Sequence, residues 1–104
     1  MYALHITFTL RPGEAPTFDA LTRDLITDMK SFEPGTVVYL PLCAAGVPDK
    51  RVFFEVYESY AAFEAHERFA HTVTFLSERA SCLAEPPAVE RLESLDVGVI
   101  LRAS

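Results

Sequence analysis

The stretch from Arg51 to Cys82, RVFFEVYESYAAFEAHERFAHTVTFLSERASC, constrains the fold most, because it joins a clear strand to a long amphipathic segment. Residues 52–58 alternate between a wholly apolar set and a mixed set of side chains. From Ser59, a good N-cap, to about Leu83, apolar residues recur at spacings of three and four, which predicts one long helix on a sheet. His66 falls within that apolar stripe. The sequence therefore predicts a buried imidazole that faces the sheet.

Four further segments complete the predicted architecture. Strand alternation is found in Met1–Leu10 and Thr36–Cys43, helical periodicity in Pro16–Phe32, and a Val-, Leu- and Ile-rich pattern typical of a long last strand in Ala88–Leu101. The order strand, helix, strand, strand, helix, strand is the split βαβ arrangement. We therefore predict an α+β, ferredoxin-like βαββαβ fold, with an antiparallel sheet that carries two helices on one face.

Size and composition predict a single domain that spans residues 1–104 and associates with a second copy. The chain has 104 residues, of which 50% are hydrophobic. So short a chain has a high surface-to-volume ratio and cannot easily cover that much apolar surface by itself. We expect an apolar surface buried between subunits, and a homodimer is the commonest closed assembly.

Charge and motif content exclude several classes of function. A net charge of -6 with scattered basic residues argues against nucleic acid as a partner. No signal peptide or membrane-spanning stretch is visible, so a cytoplasmic protein without a membrane partner is expected. The histidines lack metal-ligand spacing and no glycine-rich phosphate loop occurs, which predicts neither a metal site nor a nucleotide site. Cys43 and Cys82 are expected to be small buried or half-buried hydrophobic residues rather than a disulfide.

The orientation of the strand at residues 52–58 decides whether a site exists. If Val52, Phe54 and Val56 faced the helices, Glu55 and Tyr57 would point away and the layer would be an ordinary apolar core. If the mixed set faces them, a partly polar cleft forms between sheet and helices, and the apolar set closes a dimer. We expect the second arrangement, in which the cleft is lined by His5, Thr7, Glu55, Tyr57 and His66.

Within that arrangement Glu55 is expected to approach His66. A carboxylate so placed would hold the imidazole in one tautomer and raise its pKa, as a proton acceptor requires. Phe69 and Val73, from the same helical stripe, are expected to contact the substrate together with His5 and Thr7. His71 falls on the opposite side of a continuous helix, so we expect it at the surface or in a subunit contact.

The run FFEVYESYAAFEAHERFAHTVTFL resembles the central signature of the antibiotic biosynthesis monooxygenase superfamily. The shared features are a strand with Glu and an aromatic residue two positions apart, then a helix that opens with small residues and an Ala-His pair. The resemblance implies a dimeric α+β barrel, and it places Glu55, Tyr57 and His66 at the family's functional positions. Tyr57 stands where several active members carry Trp, and this chain has none. The first strand lacks the Asn on which haem-degrading members rely, which disfavours haem chemistry.

The function implied by this resemblance is cofactor-independent oxidation of a small aromatic, phenolic or quinol-type substrate by molecular oxygen. His66 assisted by Glu55 would be the base, and Tyr57 would donate a hydrogen bond to the oxygenated intermediate. Three alternatives remain open: a non-catalytic protein that binds an aromatic or polyketide-like ligand, a cyclase or isomerase of the same fold, and a small interaction module.

Overall fold

The computed structural model describes residues 1–102. In chain order the elements are β1 (Tyr2–Thr9), α1 (Ala15–Phe32), β2 (Thr36–Ala44), β3 (Val47–Tyr57), α2 (Tyr60–Arg68), α3 (Ala70–Glu78), a 3₁₀ turn (Arg79–Cys82) and β4 (Ala88–Glu93). The strands form one antiparallel sheet in the order β2-β3-β1-β4. The predicted ferredoxin-like α+β fold is confirmed. Within the described residues, no helix is both long enough and apolar enough to cross a membrane.

The mixed side of β3 faces the helices. Glu55 is 3% exposed and Tyr57 is 0% exposed, and Phe53 packs against Phe18 of α1 and Phe75 of α3. Because side chains alternate along a strand, Val52, Phe54 and Val56 point to the opposite face of the sheet, which we call the outer face. The expected orientation of this strand is therefore confirmed.

The expectation that His5 and Thr7 line the cleft beside Glu55 is wrong. In the β1–β3 pairing Glu55 lies opposite Leu4, whereas His5 lies opposite Phe54 and Thr7 opposite Val52. Residues directly opposite one another in an antiparallel pair project to the same face. His5 and Thr7 therefore lie on the outer face of the sheet. Leu4 and Ile6 lie under the helices, where His5 and Thr7 were expected.

An aromatic cluster joins the helices to the sheet. Phe8 and Phe53 approach within 4.7 Å between ring centroids, and Phe18 lies 5.1 Å from Phe8 and 6.1 Å from Phe75. Buried aromatic pairs of this geometry each contribute about 0.5–1.5 kcal/mol beyond the area that they remove from water. This cluster fixes α1 and α3 over one end of the sheet.

The expected single helix from Ser59 to about Leu83 is instead broken at Phe69. This residue has an extended conformation (φ -63°, ψ 143°), so that it ends α2 and begins α3. A helical wheel assumes a constant turn of about 100° per residue, and the break resets that phase. As a result Val73 is 56% exposed, while the side chain of His71, expected at the surface or in a subunit contact, is only 8% exposed.

The last strand is shorter than expected, because β4 ends at Glu93 rather than near Leu101. A turn follows, and Gly98 adopts a positive φ of 114°, which a glycine tolerates. Residues 99–101 border a cavity on the outer sheet face together with Ala3 and Phe54. Among the cysteines, Cys82 is buried as expected, whereas Cys43 is exposed.

Gly35 allows α2 to approach the turn between α1 and β2. A Cβ atom at this position would lie 2.8 Å from the Cβ of Ala62, closer than such atoms pack. We expect Gly35→Ala to lower the free energy of unfolding by about 1–3 kcal/mol through overpacking, measured by urea unfolding. Because the clash is with one methyl group, Gly35→Ala/Ala62→Gly recovers the loss, apart from about 1 kcal/mol for a helical glycine. Additive losses in the double variant would contradict this packing.

Candidate functional site

A buried carboxylate lies between two histidines and a threonine. Glu33 immediately follows α1, and its side chain is 2% exposed. Its Oε1 accepts a hydrogen bond from Thr36 Oγ1 at 2.8 Å and lies 2.7 Å from His66 Nδ1. Its Oε2 bonds to His71 Nε2. We call these four residues the Glu33 network; they join β2, α2 and α3 to the end of α1.

The position of Glu33 explains why it needs these partners. The carboxyl end of a helix carries a partial negative charge, which disfavours an acid there, and a buried carboxylate is costly without donors. Sequence reasoning missed Glu33, because it belongs to no periodic pattern. One signal existed: an acid directly before Pro34-Gly35, where the helix dipole is least favourable to it, indicates a compensating donor from elsewhere in the fold.

His66 has a different carboxylate partner from the one expected, namely Glu33 rather than Glu55. A carboxylate oxygen accepts, so Nδ1 of His66 donates, and in the neutral ring Nε2 is unprotonated. Nε2 makes no hydrogen bond with residues 1–102. Within those residues, the one side-chain polar atom that is both fully buried and without a hydrogen-bond partner is Tyr2 Oη. Because His66 Nε2 also has no partner, it is not fully buried and retains accessible surface. The imidazole therefore presents a free basic nitrogen.

A cavity of about 270 Å³ adjoins His66 between the helices and the sheet. The apolar part of its wall is formed by residues such as Leu4, Ile6, Phe63, Phe75, Leu76 and Val89. The polar groups on it include Tyr39, Glu55, His66 and Arg79. The ring of Tyr39 lies 5.9 Å from that of His66 between centroids. An apolar enclosure with a few convergent polar groups is typical of a small-molecule site.

A second cleft, of about 480 Å³, lies between α1 and α3. Asp24, Asp28 and Glu78 line it, and His71 borders it. It is larger than the cavity at His66, but besides His71 its charged lining residues are all acids, whereas the cavity at His66 brings Tyr39, Glu55 and Arg79 to the same space as the imidazole. We therefore take the smaller cavity as the candidate site.

Glu55 and Tyr57 form a pair at the sheet side of this cavity. The Tyr57 hydroxyl donates to Glu55 Oε1 at 2.6 Å. Burial raises the pKa of Glu55 to about 7, although the Tyr57 hydrogen bond opposes this effect. Burial and the neighbouring Glu55 raise the pKa of Tyr57 as well. Glu55 can therefore hold or release a proton near neutral pH, while Tyr57, which does not border the cavity, supports it from behind.

The two remaining candidates lie away from the cavity. Phe69 is half-buried and stacks on His71, with 5.0 Å between ring centroids. Val73 projects outward because of the helix break at Phe69. Neither residue lines the cavity that His66 and Glu55 border.

The raised pKa of Glu55 predicts a pH-dependent stability. The pKa is about 7 in the folded protein against 4.5 for an ordinary glutamate. Between these values the folded state binds more protons than the unfolded state, so the free energy of unfolding falls as pH rises. The loss is at most roughly 3 kcal/mol. Glu55→Gln retains an acceptor for Tyr57 but cannot ionise, so it should lose this decline when urea unfolding is compared at pH 5 and pH 8. An unchanged pH dependence in the variant would contradict the assignment.

Solved structures share this architecture. Rv0793 from Mycobacterium tuberculosis is 28% identical over 94% of this chain and 98% of its own, with a TM-score of 0.85. A Nitrosomonas europaea protein assigned to the antibiotic biosynthesis monooxygenases is 25% identical over 91% of this chain and 99% of its own, with a TM-score of 0.83. A Caulobacter crescentus protein with the same assignment, at 22% identity, covers 91% of this chain and 90% of its own at a TM-score of 0.86, which supports the fold. No curated protein sequence gives a significant match.

The sequence also matches a family directly. Residues 1–77 match the family described as Antibiotic biosynthesis monooxygenase. The matched segment runs from β1 into α3, and it contains Glu33, Glu55, His66 and His71. On this evidence, the chain belongs to the antibiotic biosynthesis monooxygenase family.

Proposed function

We propose that this protein is a cofactor-independent monooxygenase that oxidises a small phenolic or quinol-type aromatic with molecular oxygen. The observation that carries the proposal is that His66 borders a cavity of about 270 Å³ while Glu33 holds its Nδ1, so that Nε2 stays without a hydrogen bond in residues 1–102. Membership of the monooxygenase family supports it. The cavity would accept a flat aromatic molecule between the sheet and the helices.

The proposed chemistry starts with a proton transfer. His66 Nε2 takes a proton from the substrate hydroxyl, and the electron-rich phenolate reacts with oxygen. The ring carbon that reacts with oxygen loses its one hydrogen and becomes a carbonyl, and the substrate hydroxyl loses its hydrogen to become a second carbonyl, so two hydrogens are released. One oxygen atom enters the product and the other leaves as water with those two hydrogens, so the substrate supplies every electron and no external reductant is needed. Glu33 stabilises the imidazolium and fixes the ring orientation.

Tyr39 is the better placed donor to the oxygenated intermediate. It borders the cavity, and its hydroxyl makes no hydrogen bond within residues 1–102. Burial raises its pKa well above the ordinary value, so the hydroxyl keeps its proton and can donate. Tyr57 was the residue expected in this role, but its hydroxyl is bonded to Glu55. Glu55, with a pKa of about 7, can return a proton to the intermediate.

Oxygen consumption tests this proposal. The wild-type protein should consume oxygen with at least one member of a panel of naphthols, hydroxynaphthoates, anthrones and hydroquinones in an oxygen electrode. His66→Gln should lower kcat about 100-fold or more, because the base is lost. Glu33→Gln should lower kcat by less and shift the pH profile, since Nδ1 loses its anionic partner. Val73→Ala changes an exposed residue of α3 that lies away from both the cavity and the outer sheet face, so it is the control and should keep full activity.

Each contrary result points to a different class of protein. No oxygen uptake by the wild type with any member of the panel would contradict the oxygenase proposal. Product formation without oxygen uptake would favour a cyclase or isomerase, which would use the same proton-transfer groups. Ligand binding without any product would favour a binding protein.

We also propose that the outer sheet face is the homodimer interface. Leu40 and Leu42 are exposed on β2, and their partners on β3 are Phe54 and Val52. Together these side chains form an apolar surface that continues along the sheet, and the helices do not cover it. A second copy packed against it would remove this surface from water, as the family's dimeric barrel implies.

Substitution on the outer face tests the dimer. The wild type should sediment at twice its monomer mass of 11.6 kDa. Phe54→Lys should shift it to the monomer, because a charge would be buried at the interface. Val73→Lys, which also replaces an exposed apolar residue but on α3, should leave the dimer intact. A wild-type protein that is monomeric at tens of micromolar would refute the proposal.

A further inference from the structure

Arg79 is a charged group on the cavity that the proposed chemistry does not use. Its guanidinium lies over the rings of Phe8 and Phe75, at 5.1 Å and 5.4 Å from their centroids. It is half-buried and borders the same cavity as His66. Within residues 1–102 it forms no ion pair and no side-chain hydrogen bond. Its position lies beyond the segment that matches the family.

A partly buried guanidinium without an ion pair or a hydrogen bond is energetically unfavourable unless a ligand supplies an acceptor for its N–H groups. Removing a charge from water without a partner costs free energy, and burial lowers the pKa of Arg79 accordingly. Contact with two phenylalanine rings restrains the guanidinium without using its N–H groups as hydrogen-bond donors to the protein. A guanidinium presents parallel N–H groups, which match the two oxygens of a carboxylate.

Glu55 and Glu67 attract Arg79 electrostatically across the cavity, but neither forms an ion pair or a hydrogen bond with it. Glu67 lines the same cavity, is exposed, and makes no ion pair with it. Glu55 is hydrogen-bonded by Tyr57 and is near half-protonated at neutral pH. Arg91 is exposed at the edge and lies over the ring of Tyr2 at 5.5 Å. Arg79 is therefore the half-buried cation on this cavity, without an ion pair or a side-chain hydrogen bond inside residues 1–102.

We propose that Arg79 selects an aromatic acid, whose carboxylate binds the guanidinium while its ring occupies the apolar part of the cavity. The inference rests on the proposed function in taking this cavity as the substrate site, and it adds the substrate class. A neutral aromatic molecule would fill the same apolar space but would leave Arg79 unpaired. The cost of that unpaired charge is what favours the acid over a neutral molecule of the same shape.

A binding comparison tests this inference without turnover. The probes are 2-naphthoate and 2-naphthamide, which have nearly the same shape and differ in charge, and calorimetry under anaerobic conditions gives the dissociation constants. The wild type should bind the naphthoate about tenfold or more tightly than the amide. Arg79→Gln should abolish this preference, and Arg79→Lys should retain part of it. Arg91→Gln, the matched control, should keep it.

Several results would overturn the inference. Equal binding of the two probes by the wild type would do so, as would failure of both to bind at millimolar concentration. Loss of the preference in Arg91→Gln rather than in Arg79→Gln would refute the assignment to Arg79. If the Arg79 variants do not fold, the wild type still provides a test by NMR. Naphthoate, but not naphthamide, should shift the resonance of the Arg79 side-chain N–H. If the wild type prefers naphthoate over naphthamide but consumes no oxygen, the oxygenase proposal is rejected while the assignment of Arg79 stands.

Discussion

The hydrogen bonds to the buried Glu33 carboxylate are the interaction on which the arrangement of this protein depends. They bring together Thr36 at the start of β2, His66 from α2 and His71 from α3. Since both oxygens need donors and the adjoining helix end supplies none, α2 and α3 must both present a histidine to one point. A straight helix would not do this, and the break at Phe69 makes it possible.

Two buried carboxylates in the same region have different hydrogen-bond partners. Glu33 is held by three donors, two of them imidazoles, whereas Glu55 has one donor, the Tyr57 hydroxyl. Burial therefore dominates at Glu55 and raises its pKa to about 7. One acid orients the base, and the other can carry a proton at neutral pH. Such a division between two carboxylates suits a site that must both remove and return protons.

Local patterns were sufficient for part of this structure. Alternation along residues 52–58 and the apolar stripe through His66 correctly indicated a sheet covered by helices, with the imidazole buried. The same rules misplaced Val73 and His71, because a helical wheel has no means of detecting a break in phase. His5 was placed on the wrong face, since alternation within one strand does not reveal which residues of the neighbouring strand lie opposite it.

The sequence by itself determined the order of the elements, the ferredoxin-like fold, the family and the burial of His66, because these follow from short-range periodicity and from a contiguous motif. Only the tertiary structure decided that Glu33, rather than Glu55, partners the histidine, and that Arg79 stands unpaired on the same cavity. Both facts join residues from separate elements, His66 and Glu33 in one case and Arg79 with Phe8 in the other. Pairing across such distances depends on register, on the helix break and on packing, and none of these is expressed in a local pattern of residues.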